Sequence, residues 1–203
     1  VDSEKLKVIY NGTTISDINE KINKDENVIN LITVGRLAPW KNIDTIIDAM
    51  NLLRLADIKF HLFIVGSGDL YDELNEKILN LNLDNYITLT GQKNPLELKE
   101  YYKKSHIYIQ ASGYEGLPHV LLEAINYELL VISTPIGGSN EILEDGKNGL
   151  ILDLIEGKKP SSSYLYQLIL KIIDNKDLQN EKIGNAKYLL QNKFDESKNF
   201  QEY

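Results

Sequence analysis

Strand-like and helix-like segments alternate along this chain, and nearly every strand-like segment runs into glycine. Apolar, β-rich runs stand at VINLITV (28–34), FHLFIV (60–65), YITLT (86–90), HIYIQ (106–110) and LLVIST (129–134), with a shorter GLIL at 149–152. Between them, IDTIIDAMNLLRL, DLYDELNEKILNL, PLELKEYYKK and VLLEAINYE carry apolar residues at helical spacing. Repetition of strand, helix, strand is the pattern of a parallel sheet. Runs that are apolar on both sides suit strands buried from both directions. The expected fold is therefore α/β, an open parallel sheet with helices on both faces. After Pro160 the pattern is helical, in SYLYQLILKIID, DLQNEKIGNAKYLLQN and DESKNFQEY.

The glycines fall on one side of this scheme. Gly35 follows the first strand, Gly66 and Gly68 the second, Gly91 the third, Gly113 and Gly116 the fourth, and Gly137 and Gly138 the fifth. The carboxyl rim of an open α/β sheet is where ligands bind, because helix N-termini open into the crevice there. A preference of turns for glycine accounts for one or two of these positions. A ligand approached closely by backbone accounts for the set. A dinucleotide-dependent oxidoreductase is the first rival, since GSGDLY (66–71) begins like G-x-G-x-x-G. The motif ends in Tyr71, follows the second strand, and has no acidic ribose ligand clearly ending the next strand, so that reading is set aside.

Composition excludes several other classes. A formal net charge of −8 lacks the basic footprint of a general nucleic-acid binder. No apolar run reaches the length of a membrane span, and there is no cysteine for a disulfide or thiolate metal site. The N-terminus VDSEKLKVIYNG has neither Met nor an apolar leader, so a piece of a longer, cytoplasmic protein is expected. Of 22 basic residues only Arg36 and Arg54 are arginines. In a chain so biased toward Lys, Asn and Ile, an arginine that persists is a candidate for its planar fork, Arg36 more than Arg54.

The most informative stretch is YEGLPHVLLE (114–123). On a continuous helix Glu115, His119 and Glu123 would share a face and could hold a metal ion. Gly116 and Pro118 oppose that reading, because proline fits only the first turn of a helix. A helix starting near Leu117–Pro118 leaves Glu115 on the preceding loop. Its free amides at His119 and Val120 attract phosphate. Glu123 leans back toward that end. Carboxylates repel phosphate but accept hydrogen bonds from hydroxyls, as on sugars flanking a diphosphate. Arg36 and Lys41, in GRLAPWKN, supply compensating positive charge. From this segment alone, a solvated loop and helix face is the leading reading of the two glutamates.

GRLAPWKNIDTIIDAM, VGSGDLYDEL, LTGQKNP, YEGLPHVLLEAINYELLVIST and PIGGSNEILEDGKNGLIL, in this order, resemble the carboxyl-terminal half of retaining GT-B glycosyltransferases. The resemblance is to the family-four group and covers residues 8 to 155. VIYNGT is similar to that group's interdomain segment, with Tyr10 in place of proline. The resemblance implies a Rossmann-like, nucleotide-sugar-binding domain over 27–190. It also implies an interdomain lead-in over 1–26, and over 191–203 the start of a helix returning to an acceptor domain absent from the chain. Arg36 and Lys41 would hold the donor diphosphate and stabilise the leaving nucleotide. Glu115 would meet the transferred sugar and Glu123 the ribose. The backbone of Gly116, Leu117, Pro118, His119 and Val120 would cradle the distal phosphate, Gly35 and Gly66 would line the site, and Gln92, Lys93 and Asn94 would lie near the base.

The donor expected from this resemblance is a nucleoside-diphosphate sugar, foremost a UDP-sugar, with no cofactor and no metal. Membrane contact is expected only through the missing half. A noncatalytic nucleotide-binding module and a nucleotide-sugar epimerase of the same fold are the alternatives. Because Glu115 is assigned to the sugar, its neutralisation is expected to leave binding of free nucleoside diphosphate nearly unchanged. Two departures stand out. Pro118 occupies a position where many relatives carry glycine, and the turn Asn126-Tyr-Glu128-Leu-Leu130 has lost the glycine and proline usual after the second glutamate.

Overall fold

The structure, a computed structural model, describes Lys24, residues 27–155 and residues 159–195. Its centre is a parallel sheet of six strands in the order β3-β2-β1-β4-β5-β6. These are β1 (Ile29–Val34), β2 (Phe60–Val65), β3 (Ile87–Gly91), β4 (Ile107–Gln110), β5 (Leu130–Ser133) and β6 (Leu150–Ile151). Each strand from β1 to β5 is followed by a crossover, as parallel pairing demands. The helices are α1 (Ile43–Leu55), α2 (Tyr71–Asn80), α3 (Pro95–Lys104), α4 (His119–Asn126), α5 (Ser139–Ile142), α6 (Ser162–Ile173) and α7 (Lys176–Lys193). The α/β, Rossmann-like architecture expected from the alternating pattern is the one observed.

The strand period of two sorts side chains into two apolar cores. Leu31, Leu62, Ile64, Ile107, Ile109 and Ile132 pack with α1, α2 and α6 on one face. Ile32, Val65, Tyr108 and Val131 pack with α3, α4 and α7 on the other. β1 lies at the centre, in register with β2 from Ile29↔Phe60 to Val34↔Val65 and with β4 at Leu31↔Ile107. Helix ends follow their sequences. Asn94 caps α3 in a reciprocal box with Glu97, Ser161 caps α6 and Asn175 caps α7. Among the described residues no helix is long and apolar enough to cross a membrane.

Three elements have no counterpart in the strand-and-helix pattern. They are the 3-10 turn Pro39–Lys41, the short α5, and an antiparallel ribbon of β7 (Leu154–Ile155) and β8 (Lys159–Pro160). α7 runs unbroken past residue 190 to Lys193. Apart from Lys24, the lead-in over 1–26 contributes nothing to the described residues, and neither does 196–203. The turn that lacks the usual glycine places Glu128 in a left-handed conformation, φ 57°. Its carboxylate pairs with Lys187 on α7, and its carbonyl accepts a hydrogen bond of 3.1 Å from Lys24 Nζ. The turn leads into β5 and lies on the amino rim of the sheet.

On the carboxyl rim, hydrogen bonding continues past the strand ends. Gly35 N–H donates to the Val65 carbonyl at 2.9 Å and Gly66 N–H to the Gly91 carbonyl at 3.0 Å. Gly66 has φ +147°, and a Cβ there would lie 1.8 Å from the Gly35 carbonyl oxygen. At Gly116 a Cβ would meet nothing within 4 Å and no positive φ is required. Gly66→Ala should therefore cost about 2–4 kcal/mol through strain and backbone displacement. Gly116→Ala should lie within about 0.5 kcal/mol of the parent, as at an unconstrained site. Urea denaturation of the two variants checks the contrast, and equal losses would contradict it.

Candidate active site

β1 and β4 are neighbours in the sheet, yet their chains leave toward opposite faces, β1 into α1 and β4 into α4. A crevice opens at the carboxyl ends of such a pair. From β1 it receives Gly35, Arg36 and the turn Pro39–Lys41, and from β4 the loop 111–118. Backbone binds the two loops together. Gly113 N–H donates to the Trp40 carbonyl at 2.7 Å, and Asn42 Nδ2 donates to the Ala111 carbonyl at 2.8 Å. Asn42 takes the left-handed conformation, φ 48° and ψ 40°, that lets the turn pass directly into α1; asparagine tolerates it better than most residues. From β5, Gly138 N–H donates to the Gly116 carbonyl at 2.8 Å. Only a glycine fits at 137, where φ is +55° and a Cβ would fall 2.0 Å from the Glu115 carbonyl oxygen.

Two sequence-predicted residues meet in this crevice. Lys41 Nζ lies 2.6 Å from Glu115 Oε1, with the two side chains only 17 % and 14 % exposed. Ser112 Oγ donates to the same oxygen at 2.6 Å, and the Ser112 carbonyl accepts from Thr134 Oγ1 at 2.6 Å. A pair so desolvated leaves a costly charge behind if one partner is removed. Arg36 differs. It is exposed, and its guanidinium makes no hydrogen bond or ion pair with the described residues. Arg54 lies near the far end of α1, where Nη2 donates to Asn51 Oδ1 at 3.1 Å and the buried Nε has no partner.

α4 begins at His119, with Pro118 in an extended conformation at its N-cap. Glu115 is thus on the loop, and the helical face that would have joined Glu115, His119 and Glu123 does not form. Leu121 N–H makes the first bond of the helix, to the Pro118 carbonyl at 3.0 Å. The amides of His119 and Val120 precede it and carry the positive end of the dipole. Pro118 contributes no donor. Glu123, one turn further on, is half-buried, and its Oε2 accepts from the Tyr102 hydroxyl at 3.2 Å. Burial pushes its carboxyl above the usual range, opposed by that hydrogen bond and by nearby His119.

The remaining predicted residues lie along the same rim but further out. Gly66 follows β2, and Ser67 Oγ reaches Gln92 Oε1 beyond β3 at 3.5 Å. Lys93 Nζ is 3.9 Å from Glu97 Oε1. Asn94 Oδ1 accepts from Glu97 N–H at 3.0 Å, so this side-chain oxygen serves the helix cap. β2 stands between these residues and the Lys41–Glu115 pair. Sequence reasoning missed Ser112, Thr134 and Tyr102. Ser112, within three residues of Glu115, could have been found as a potential partner. Tyr102 belongs to another helix and read only as part of an apolar face.

Residues 14–188 match the family described as glycosyl transferases group 1. An uncharacterised glycosyltransferase of Methanocaldococcus jannaschii is 32 % identical, over 100 % of this chain and 52 % of its own. A capsular polysaccharide biosynthesis glycosyltransferase of Staphylococcus aureus is 33 % identical over 68 % of this chain and 39 % of its own. The chain thus spans about half the length, or less, of these relatives. An Anabaena protein crystallised with UDP and glucose shares the fold at a TM-score of 0.81 and 22 % identity, over 98 % of this chain and 56 % of that one. The sheet, with its helices on both faces, is that of the GT-B glycosyltransferases. The chain belongs to the glycosyl transferases group 1 family.

Proposed function

We propose that this chain is the donor-binding domain of a retaining glycosyltransferase. The enzyme moves a sugar from a nucleoside-diphosphate sugar, foremost a UDP-sugar, to a glycan, lipid or cell-surface polysaccharide precursor. It works at the cytoplasmic side, with the acceptor held by a further domain. The observation that carries this reading is the crevice between β1 and β4. There Lys41 pairs with Glu115, and exposed Arg36 and the amino end of α4 lie on the same rim. Transfer breaks the bond between the anomeric carbon and a phosphate oxygen, leaving an anion on the nucleotide and positive charge on the sugar. Cations fixed where the anion develops stabilise that transition state most directly. Arg36 and Lys41 with the α4 dipole take this role without a divalent metal. Glu115 accepts from the sugar hydroxyls and faces the developing positive charge, and Glu123 accepts from the ribose. Gln92, Lys93 and Asn94 lie toward the base.

The ion pair changes one expectation. A diphosphate that engages Lys41 must draw it from Glu115, so Glu115 opposes free nucleoside diphosphate both as a competitor and as a like charge. Glu115→Gln should bind UDP about fivefold more tightly, the net scale of one ordinary hydrogen bond. Turnover in the longer protein should fall, chiefly in kcat, because the positive charge it stabilises arises only in the transition state. Calorimetry with UDP and steady-state kinetics check the two halves. Weaker UDP binding by this variant would remove the competition argument.

Binding of UDP should persist undiminished in excess chelator, as calorimetry will show. Binding that needs Mg²⁺ or Mn²⁺ would overturn the proposed diphosphate site. The same titrations with UDP-sugars test the donor class, and epimerisation or hydrolysis without transfer by the longer protein would replace the assigned reaction.

Arg36→Lys should weaken UDP roughly tenfold despite conserving charge, since a bidentate fork binds phosphate better than a point charge. Arg54→Lys should leave affinity unchanged, because its guanidinium is engaged within α1. Equal effects in calorimetry would discredit the assignment of Arg36.

A further inference from the structure

We infer that Tyr102, a residue of α3 outside the crevice, is a positioning residue that fixes the Glu123 carboxylate for the donor's ribose. This rests on the donor-site reading above and extends it to a second layer of the site. Tyr102 is 1 % exposed. Its ring stacks on Tyr127 at the C-cap of α4, centroids 5.3 Å apart and planes 11° from parallel. Packing therefore sets where the hydroxyl points. It meets Glu123 Oε2 at 3.2 Å and the Val120 carbonyl at 3.4 Å, so one phenol contacts both the helix's acidic side chain and its first turn.

The chemistry suits a fixed acceptor. An ionised carboxylate accepts from a ribose hydroxyl far more strongly than a neutral carboxyl does, yet burial favours the neutral form. Tyr102 remains a donor at all relevant pH, because burial first, then Tyr108 and Glu123, hold its hydroxyl far above the usual range. By donating to Oε2 it stabilises the ionised form and leaves the remaining lone pairs for a ligand. Other described groups near Glu123 act differently. His119, on the same helix, acts through space, and Tyr108 on β4 directs its hydroxyl toward Gln110 at 3.5 Å. From α7, Lys187 engages Glu128, and Lys193 engages the Glu141 carbonyl.

The test is calorimetry of the whole chain with two probes, UDP and inorganic pyrophosphate, on Tyr102→Phe, Glu123→Gln and the double variant. Tyr102→Phe should weaken UDP about fivefold, the scale of one ordinary hydrogen bond, and leave pyrophosphate within twofold. Its effect should largely vanish on the Glu123→Gln background. The acid limb of UDP binding should move to higher pH in Tyr102→Phe, since the carboxyl loses the bond that held it down. Thermal unfolding of each variant verifies that it is folded at the titration temperature. If Tyr102→Phe does not fold, Tyr127→Leu, which removes the stacked ring and keeps the hydroxyl, should shift UDP binding and its acid limb in the same directions. Equal loss of UDP and pyrophosphate, or additive effects in the double variant, would overturn the positioning role. An unchanged UDP affinity in Glu123→Gln would instead overturn the ribose assignment on which it rests.

Discussion

A parallel strand cannot return to its neighbour by a tight turn, so each pairing forces the chain across one face of the sheet and back. β1 is paired on both sides, to β2 and to β4, and the chain leaves these strands toward opposite faces. Everything of chemical interest depends on that divergence. It separates the ends of β1 and β4 enough to open a crevice, and it aims both following loops into the same space. Two backbone and side-chain bonds, Gly113 to Trp40 and Asn42 to Ala111, then hold the loops at a fixed distance. The Lys41–Glu115 pair is the product of this framework rather than its cause. An exposed ion pair of long side chains contributes little by itself; this one is largely desolvated, and has a defined geometry because the backbone beneath it has been tied.

The crevice carries its charge unevenly. One cation is committed to a carboxylate that also accepts from Ser112, while the other, Arg36, stands exposed. The two glutamates have different supports as well. Glu115 is held by a hydroxyl from its own loop, and that loop is held by Thr134 of the neighbouring strand end. Glu123 is held from a different helix. Two carboxylates eight positions apart in sequence thus answer to separate parts of the fold, which suits them to separate parts of one ligand.

How much of this is legible in the sequence follows from what kind of interaction carries each feature. Strands such as FHLFIV and helices such as PLELKEYYKK have boundaries that match the observed elements, because hydrophobic periodicity and an Asn-Pro-x-Glu cap are local signals. The break at Gly-Leu-Pro is local too, so Glu115 and the start of α4 are readable from YEGLPHVLLE alone. The 3-10 turn at Pro39–Lys41 and the ribbon of β7 and β8 carry almost no periodic pattern and escape. Contacts between distant segments are invisible by nature. Nothing within EYYKK tells that Tyr102 reaches Glu123, and nothing in GRLAPWKN tells that Lys41 will already be paired. Asn94 shows the converse: a residue in a motif near the rim whose side-chain oxygen is occupied in capping a helix.

The turn at Glu128 anchors the rear of α4. Eight residues of α-helix make a rod about 12 Å long. At its rear, Glu128 takes hold of Lys187 through its carboxylate and Lys24 through its carbonyl. A glycine in that left-handed position would have relaxed the backbone but would have had no side chain with which to grip α7. The rear of the rod is therefore tied to Lys187 and Lys24, both remote in sequence, while its front end presents the amides of His119 and Val120. The side chain that replaces the usual glycine thus adds contacts that a glycine could not make, at the end of α4 away from the crevice.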